Sequence, residues 1–158
     1  MHPNEELIRR FYEALNAGDG QTMASAYAED ARFSDPVFPE LEGAGAGAMW
    51  RMLTENSDDL KVEATVVEAD DSSGKARWEA VYSFGPGKRR VHNVIEATFE
   101  FRDGKIVHHE DRFDFWRWSR QALGPVGIFL GWTPMVKSQV RTQAARSLRK
   151  WREKQGEV

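Results

Sequence analysis

The chain has 158 residues, a net charge of −3, and hydrophobic and charged fractions of 41% and 30%. These values are typical of a single soluble globular domain and give no reason to expect nucleic-acid binding. Cysteine is absent, which excludes disulfides, thiolate nucleophiles and cysteine-ligated metals. No apolar run reaches the roughly 20 residues of a membrane span, and the polar start of the chain is unlike a secretory signal, so we expect a cytoplasmic protein.

Two helices are predicted at the start of the chain. Asn4 is a plausible N-cap for the first, because its side chain can accept a hydrogen bond from a free backbone N–H. Gly18 suits the end of that helix, since glycine adopts the left-handed conformation at little cost. Asp19 can then cap a second, short helix that carries Tyr27.

The next two segments lead into a third helix. Residues 30–36 are predicted to be extended, because Pro36 disfavours the helical region for Asp35. The glycine-rich stretch 43–48 invites comparison with nucleotide-binding loops, but its third glycine is misplaced, no strand precedes it and no P-loop lysine follows. We therefore interpret it as a flexible lead into a helix that carries Trp50.

Four antiparallel strands are predicted to follow as a meander. Alternating apolar residues indicate strands at 60–69, with a bulge near Val67, and at 76–84. Two further alternating runs, within 91–115, surround an Asp-Gly turn and indicate a β-hairpin. Helices followed by a meander predict an α+β fold.

A helical extension is expected at 119–158, packed on the domain formed by 1–118. The glycines within 124–132 argue against regular structure there. A last helix is predicted to begin at Thr133, with an apolar stripe that ends at Trp151. Its many basic residues are interpreted as the solvated face of a docked amphipathic helix, in preference to a site for a membrane or an anionic partner.

The register of the hairpin decides which side chains share a face. A two-residue loop would mix apolar and polar residues on both faces. A three-residue loop, 102–104, with Gly104 left-handed and forming a bulge, shifts the pairing by one and separates apolar from charged side chains. We choose this register, which places Val107 on the apolar face and Ile106 on the charged face.

Three polar residues then fall on the apolar face, namely Asn93, His109 and Asp111. A buried polar group without a partner costs on the order of 1–3 kcal/mol, so these residues either satisfy one another or line a cavity. The Cα atoms of His109 and Asp111 are expected about 6.5–7 Å apart. That separation is judged too long for a direct bond, but it would allow both side chains to touch one water or substrate molecule.

Three segments of the sequence resemble the NTF2-like superfamily, and within it the SnoaL-like and ketosteroid-isomerase branches. They are residues 10–19, Asp35-Pro36-Val37 followed by Gly43, and residues 99–107. The resemblance covers about residues 4–115 and implies a cone of helices wrapped by a curved antiparallel sheet, with a pocket open at one end and commonly a homodimer. This fold hosts isomerases, cyclases, epoxide hydrolases, dehydratases and binding modules, so it does not identify the reaction.

The resemblance also suggests roles for individual residues. Asp35 matches the general-base aspartate of ketosteroid isomerases, but Phe11 stands where they have an oxyanion-hole tyrosine, and Tyr12 points about 100° away. Ala97 stands where they have a protonated aspartic acid. Because losing even one such donor costs on the order of a hundredfold in rate, we do not predict steroid isomerisation. Asp111 is the nearest candidate for the acid–base aspartate that SnoaL-type cyclases carry on a late strand.

The predicted site therefore has Asp35, His109 and Asp111 as candidate catalytic residues. In the enzyme hypothesis, Asp111 or Asp35 takes a proton from a C–H bond or from water while His109 donates or orients. The alternatives are a non-catalytic module that binds a small apolar molecule or mediates dimerisation, and a purely structural role for these polar groups. The residues expected to contact the ligand are Asn93, Trp78, Tyr82, Phe99, Phe113, Phe11 and Tyr12. We expect no cofactor, no metal, no nucleic-acid or membrane partner, and a homodimer.

Overall fold

The computed structural model describes residues 1–157, which form six helices and one six-stranded mixed sheet. The helices are α1 (Pro3–Ala17), α2 (Gly20–Ser25), α3 (Ala44–Asn56), α4 (Phe115–Leu123), α5 (Pro125–Leu130) and α6 (Pro134–Lys154). The strands are β1 (Tyr27–Ser34), β2 (Leu41–Glu42), β3 (Lys61–Ala69), β4 (Ser73–Phe84), β5 (Arg89–Arg102) and β6 (Lys105–Arg112). The α+β prediction is confirmed.

The sheet has the order β2-β1-β6-β5-β4-β3. Its second half is the predicted antiparallel meander, whose β3 bulge lies between Ala64 and Val66, just before the predicted position. The first half could not be predicted from local patterns, because β1 pairs in parallel with β6, which follows it by some 70 residues. The curved, unclosed sheet holds α1 and α3 against its inner face.

The start of α1 differs from the prediction. The N-cap is His2, whose Nδ1 accepts a hydrogen bond from the Asn4 backbone N–H at 3.0 Å, and Pro3 occupies the first turn. The Asn4 side chain is buried instead and donates to the carbonyl oxygens of Asp70 and Asp71 at 3.0 and 3.3 Å. Asn4 therefore ties the helix to the β3–β4 turn, and its predicted capping role is wrong.

The boundary between α1 and α2 follows the sequence prediction, but the end of α2 does not. Gly18 ends α1 with φ 75°, and the Asp19 side chain accepts a hydrogen bond from the Thr22 N–H at 3.0 Å. Tyr27 was expected on α2, but it is the first residue of β1. Its buried position at the start of the sheet matters for the site described below.

The glycine-rich stretch 43–48 is not a flexible lead, because residues 44–48 form the first turns of α3. A Cβ atom added at Gly47 would lie 2.7 Å from the Cβ of Ala24 in α2. Such a distance is well inside van der Waals contact, so the two helices touch at a position where only glycine fits. The small residues in this segment therefore serve helix packing.

The β5–β6 turn contains two residues, not the predicted three. Asp103 and Gly104 have φ values of 52° and 76°, as a two-residue type I′ turn requires, and Arg102 pairs with Lys105. The prediction that Gly104 is left-handed is confirmed. The predicted bulge at the turn is wrong, because pairing continues directly from the turn into both strands.

The register shift occurs further along β6. Ile106 lies opposite Phe101 and is fully buried, whereas Val107 is the extra residue at a bulge and is half-buried. The predicted faces of Ile106 and Val107 are therefore wrong. Beyond the bulge the faces are as predicted, so His109 and Asp111 point inward, with exposures of 0% and 3%.

Residues 124–132 were expected to lack regular structure, but they contain α5. A Cβ atom at Gly127 would overlap the Ser119 carbonyl group in α4. The glycine thus allows α5 to lie directly on α4, and glycine content here reflects close packing, not irregularity.

The final helix follows the predicted pattern. Thr133 caps α6, and Val136, Leu148 and Trp151 of its apolar stripe are buried. The Trp151 Nε1–H donates to Glu55 in α3 at 2.9 Å, which fixes α6 on the helical layer. None of the helices within residues 1–157 combines the length and apolar character needed to cross a membrane.

The contact between α2 and α3 gives a first test. Gly47→Ala should lower the free energy of unfolding by about 1–2 kcal/mol, because overpacking outweighs the better helix propensity of alanine. Gly45→Ala is the matched control in the same helix, since its Cβ would make only ordinary van der Waals contacts, with Leu41 at 3.6 Å and Arg152 at 3.8 Å. Urea denaturation should show the control unchanged or more stable by up to about 1 kcal/mol. Equal stability of both variants would contradict the proposed close contact.

Candidate active site

A cavity of about 1000 Å³ lies between the inner face of the sheet, α3 and α6. Six of the sequence-predicted site residues line it, namely Asp35, Trp78, Tyr82, Asn93, Asp111 and Phe113. The opposite wall is contributed by α6 through Val136, Val140 and Ala144, which sequence reasoning did not assign to the site. This volume is at the upper end of the range for pockets that hold drug-sized ligands.

His109 does not reach the cavity, although the sequence predicted that it would touch a ligand. Its ring is fully buried behind Asp111, stacked on Phe99 with centroids 4.3 Å apart and edge-on to Phe33 and Phe11 at 4.9 and 5.7 Å. Phe99 and Phe11 are therefore packed around the imidazole, and neither lines the cavity. Phe11 and Phe99 are therefore not placed to contact a ligand in the cavity, contrary to the prediction.

Tyr12 is also enclosed, with its ring 5.2 Å from that of Trp78. Its hydroxyl group is buried and makes no hydrogen bond within residues 1–157. Burial, together with the charge of Asp111, raises the pKa of Tyr12 well above its usual value. The group therefore stays protonated, and it lies outside the cavity lining.

His109 and Asp111 are directly hydrogen-bonded, with 2.8 Å between Nε2 and Oδ1. The sequence argument judged this pair too far apart because it considered only the Cα spacing along a strand. Two side chains on the same face can lean toward each other, and here they close the gap. The bond is formed beside the cavity, since Asp111 lines it and His109 lies behind.

A second hydrogen bond fixes the other side of the imidazole. The Tyr27 hydroxyl group lies 2.7 Å from His109 Nδ1, and the Trp50 Nε1–H donates to the same hydroxyl oxygen at 2.9 Å. An indole nitrogen can only donate, so Tyr27 accepts from Trp50 and keeps its own proton for His109. His109 then accepts at Nδ1 and donates from Nε2 to Asp111.

All three hydrogen bonds therefore run in one direction, from Trp50 to Asp111. A doubly protonated imidazole would have to donate to Tyr27 as well, which would leave the Tyr27 proton without an acceptor. The bonding pattern thus favours a neutral His109 beside an ionised Asp111. We call Trp50, Tyr27, His109 and Asp111 the buried relay.

Asp35 reaches the cavity through the parallel pairing of β1 with β6. Phe33 lies opposite His109 and Ser34 opposite Glu110, so the next residues along each strand are Asp35 and Asp111. The two carboxyl groups therefore come to neighbouring positions on the same face, although they are far apart in the sequence.

The surroundings of Asp35 make it a carboxylic acid near neutral pH. Its Oδ1 accepts hydrogen bonds from the backbone N–H groups of Val37 and Phe38 at 2.7 and 2.5 Å. Burial, together with the charge of Asp111, raises the pKa of Asp35 to about 7, against the opposing effects of these hydrogen bonds and of the nearby Arg141 charge. Asp35 thus holds the turn that follows it and also lines the cavity.

Two further polar side chains line the cavity. Tyr82 accepts a hydrogen bond from the Trp118 Nε1–H at 2.8 Å, which leaves its own proton available. Burial raises the pKa of Tyr82 to about 12, so the hydroxyl group remains a donor. The Asn93 amide makes no hydrogen bond to a described residue and can bind a ligand.

A family model for a SnoaL-like domain matches residues 8–109, which is more than half of the chain. The chain belongs to the SnoaL-like family. The resemblance inferred from the sequence is therefore confirmed. None of the curated proteins matches the sequence significantly.

Solved structures similar to this SnoaL-like protein share its fold. An LEH-like epoxide hydrolase of Mycobacterium tuberculosis is 21% identical with a TM-score of 0.64, covering 77% of this chain and 90% of its own. A putative polyketide cyclase of Xanthomonas campestris pv. campestris is 24% identical with a TM-score of 0.62, covering 75% and 96%. A putative SnoaL-like polyketide cyclase of Jannaschia sp. CCS1 is 15% identical with a TM-score of 0.67, covering 78% and 93%.

Metal binding has no obvious place in the described part of the SnoaL-like protein. Within residues 1–157, no three His, Asp, Glu or Cys side chains are grouped closely enough to hold an ion. The cavity instead offers a neutral acid, a carboxylate, a phenol and an amide. Such a set can move protons and bind oxygen atoms of a ligand.

Sequence reasoning missed Tyr27 and Trp50, the two residues that orient His109. Tyr27 was placed on a helix because the pairing of β1 is irregular between Tyr27 and Arg32, so the strand lacks a clean alternation. Trp50 was missed because a tryptophan on an apolar helix is equally typical of an ordinary hydrophobic core. A search for Tyr, Trp and other residues that can hydrogen-bond to a buried histidine would have identified both as candidates.

The buried relay predicts that removing the Tyr27 hydroxyl group lowers stability more than removing the Tyr12 hydroxyl group does. Tyr27→Phe should lower the free energy of unfolding by about 2 kcal/mol, because both Trp50 and His109 lose their partner while buried. Tyr12→Phe is the matched control, since the removed hydroxyl group has no partner, and this variant should be unchanged or slightly more stable. Urea denaturation measures both values. A Tyr27→Phe variant as stable as Tyr12→Phe would contradict the relay.

Asp35 predicts how stability depends on pH. Its pKa in the folded protein is about 7, against 3.8 as the ordinary value, so the folded state holds the proton more tightly. The contribution of Asp35 to stability is therefore fully present below its unfolded pKa and is lost as pH rises through the folded pKa. Relative to Asp35→Asn, the wild-type protein should lose about 2 kcal/mol between pH 5 and 7.5. Urea titrations across this range should show a flat difference if Asp35 has an ordinary pKa.

Proposed function

We propose that this SnoaL-like protein catalyses proton transfer in a small apolar molecule, with Asp111 as the base and Asp35 as the acid. The observation that carries the proposal is the presence of two neighbouring carboxyl groups in different environments at one apolar cavity. Enzymes that need an acid and a base at the same pH commonly separate them in this way.

Asp111 is suited to be the base because the buried relay keeps it ionised. Its Oδ1 accepts the Nε2–H of His109, and its other oxygen is left for a substrate. His109 supplies orientation and a hydrogen bond without contacting the ligand, so we assign it a positioning role. This differs from the sequence hypothesis, in which His109 donated a proton to the substrate.

Asp35 is suited to be the acid because it holds its proton up to about pH 7. The two backbone N–H groups occupy Oδ1, so the proton is carried on Oδ2. Tyr82 also lines the cavity and adds a second donor. A ligand oxygen bound between the two would receive hydrogen bonds as negative charge develops on it.

The reaction class follows from the proton that Asp111 removes. If the proton comes from a C–H bond next to a carbonyl group, Asp111 takes it while Asp35 protonates the carbonyl oxygen, which gives an enol intermediate of the kind that isomerisation, cyclisation and dehydration pass through. If it comes from water, the resulting hydroxide attacks an electrophilic carbon while Asp35 protonates the departing oxygen, as in epoxide hydrolysis. The similar structures include an LEH-like epoxide hydrolase and putative polyketide cyclases, which supports chemistry of this kind.

Ligand binding without turnover is the alternative, and the largely apolar wall contributed by α6 favours it. Such a surface binds a hydrophobic molecule whether or not the carboxyl groups react. The two functions differ in one respect: removing the charge of Asp111 should abolish turnover in an enzyme and leave affinity nearly unchanged in a binding module.

The test is Asp111→Asn in the full-length protein. Carbonyl and epoxide substrates are screened in D₂O by NMR, where deuterium incorporation next to a carbonyl group reports C–H removal and diol formation reports hydrolysis. Turnover should fall by about 10²–10⁴-fold, while the dissociation constant of a non-reacting apolar ligand changes by no more than about threefold, since the amide preserves shape. Asp103→Asn, at the exposed β5–β6 turn, makes the same chemical change away from the cavity and should retain full turnover.

The possible outcomes separate the two functions. Turnover by the wild-type protein that survives Asp111→Asn would exclude Asp111 as the base. Tight binding of apolar compounds, with neither exchange nor hydrolysis across the panel, would favour the binding module.

A further inference from the structure

The surface formed by α5 and the start of α6 is unusually apolar for the outside of a protein. Phe129 and Trp132 are 72% and 70% exposed, and four neighbouring large apolar side chains are at least two-fifths exposed. We call this set the apolar ridge, and it consists of Val126, Ile128, Phe129, Leu130, Trp132 and Met135. Scattered exposed apolar residues are common, but a contiguous group of this kind marks an interaction surface.

Basic residues predominate in the chain segments that flank the ridge, although Arg149, further along α6, lies in a separate groove with Glu40, Glu153 and Glu157. Residues 115–150 contain seven basic residues and no Asp or Glu, although the chain as a whole is negative. The basic residues are Arg117, Arg120, Lys137, Arg141, Arg146, Arg149 and Lys150. Within the described chain none of them forms an ion pair, so their charges are available to a partner.

We propose that the apolar ridge docks on the surface of an anionic membrane. Phenylalanine, tryptophan and leucine side chains enter the boundary between headgroups and acyl chains, while nearby lysine and arginine side chains bind acidic headgroups. The ridge combines both features. This proposal differs from the expectation, made from the sequence, that the protein has no membrane partner; docking on a membrane surface needs no membrane-spanning helix.

A second copy of the chain is a poorer occupant. In a twofold dimer the same patch faces itself, so the basic surroundings of one ridge would approach those of the other. The segment that carries the ridge and leads into it, residues 115–135, contains no acidic residue that could offset this repulsion. An anionic lipid surface supplies the complementary charge.

The ridge is continuous with the wall of the cavity. Val126 belongs to both, since it lines the cavity and is 53% exposed, and Val136 lines the cavity directly after the ridge ends. An apolar ligand dissolved in the bilayer would thus meet the cavity without crossing water. This last step rests on the proposed function, whereas membrane docking does not.

The test is flotation of the full chain with vesicles, which requires no substrate. Binding is expected to vesicles of phosphatidylcholine containing 30 mol% phosphatidylserine and to be much weaker with phosphatidylcholine alone. The double variant Phe129→Ser/Trp132→Ser should reduce the partition coefficient by roughly tenfold or more. Val66→Ser is the matched control, because it replaces a 44% exposed apolar residue on β3, and it should bind like the wild-type protein.

A variant that lacks one positive charge tests the contribution of the basic residues to vesicle binding. Lys137→Gln should weaken binding to the anionic vesicles by roughly fivefold, and raising the salt concentration should weaken the wild-type protein in the same direction. Equal binding to both vesicle types would overturn the role assigned to the basic residues.

Sedimentation of the same proteins tests whether a second copy of the chain, and not a membrane, covers the apolar ridge. A wild-type dimer that becomes monomeric in Phe129→Ser/Trp132→Ser, without vesicle binding by either protein, would overturn the proposal and identify the ridge as an interface between copies. Absence of vesicle binding by a monomeric wild-type protein would overturn it as well. Neither result would affect the Asp111→Asn experiment, so the two proposals fail independently.

Discussion

The hydrogen bond between His109 and Asp111 is the interaction on which the candidate site depends. His109 lies in the core without access to the cavity, whereas Asp111 lines it, so this bond lets core residues position a carboxylate at the cavity. An imidazole enclosed by aromatic rings is costly to ionise, and Tyr27 and Trp50 satisfy it in its neutral form. The core thereby holds one carboxylate at a fixed position and in a defined protonation state, which is the condition that acid–base chemistry requires.

The sequence predicted the inward direction of His109 and Asp111 for a partly wrong reason. A bulge was inferred at the turn, whereas the Asp-Gly pair forms a two-residue turn and the extra residue is Val107. The predicted and observed arrangements each shift the register once, so each residue beyond the bulge lies on the same face in both. The two arrangements differ at Ile106 and Val107, and patterns of alternation cannot decide which of two adjacent apolar residues is the extra one.

Other features were beyond sequence reasoning because they depend on contacts between distant segments. The α+β class, the meander and the capped ends of several helices follow from local periodicity and side-chain chemistry. The bonded state of His109 does not, because it requires knowing which donors from other elements surround the ring. The glycines in α3 and near α5 were likewise misjudged: their local preference is for irregular chain, but Gly47 and Gly127 are needed where two helices touch. The wall provided by α6 was missed because an apolar stripe is typical of any docked helix.

The parallel contact between β1 and β6 has a consequence for how the site forms during folding. Tyr27 and His109 are 82 positions apart, so a long loop must close before their hydrogen bond can stabilise it. The meander from β3 to β6 needs only neighbouring segments and can form earlier. Asp35 and Asp111 are brought together by the same late closure. Without the pairing of β1 with β6, the meander would hold Asp111 alone, so the acid–base pair depends on the contact between the two most distant segments of the sheet.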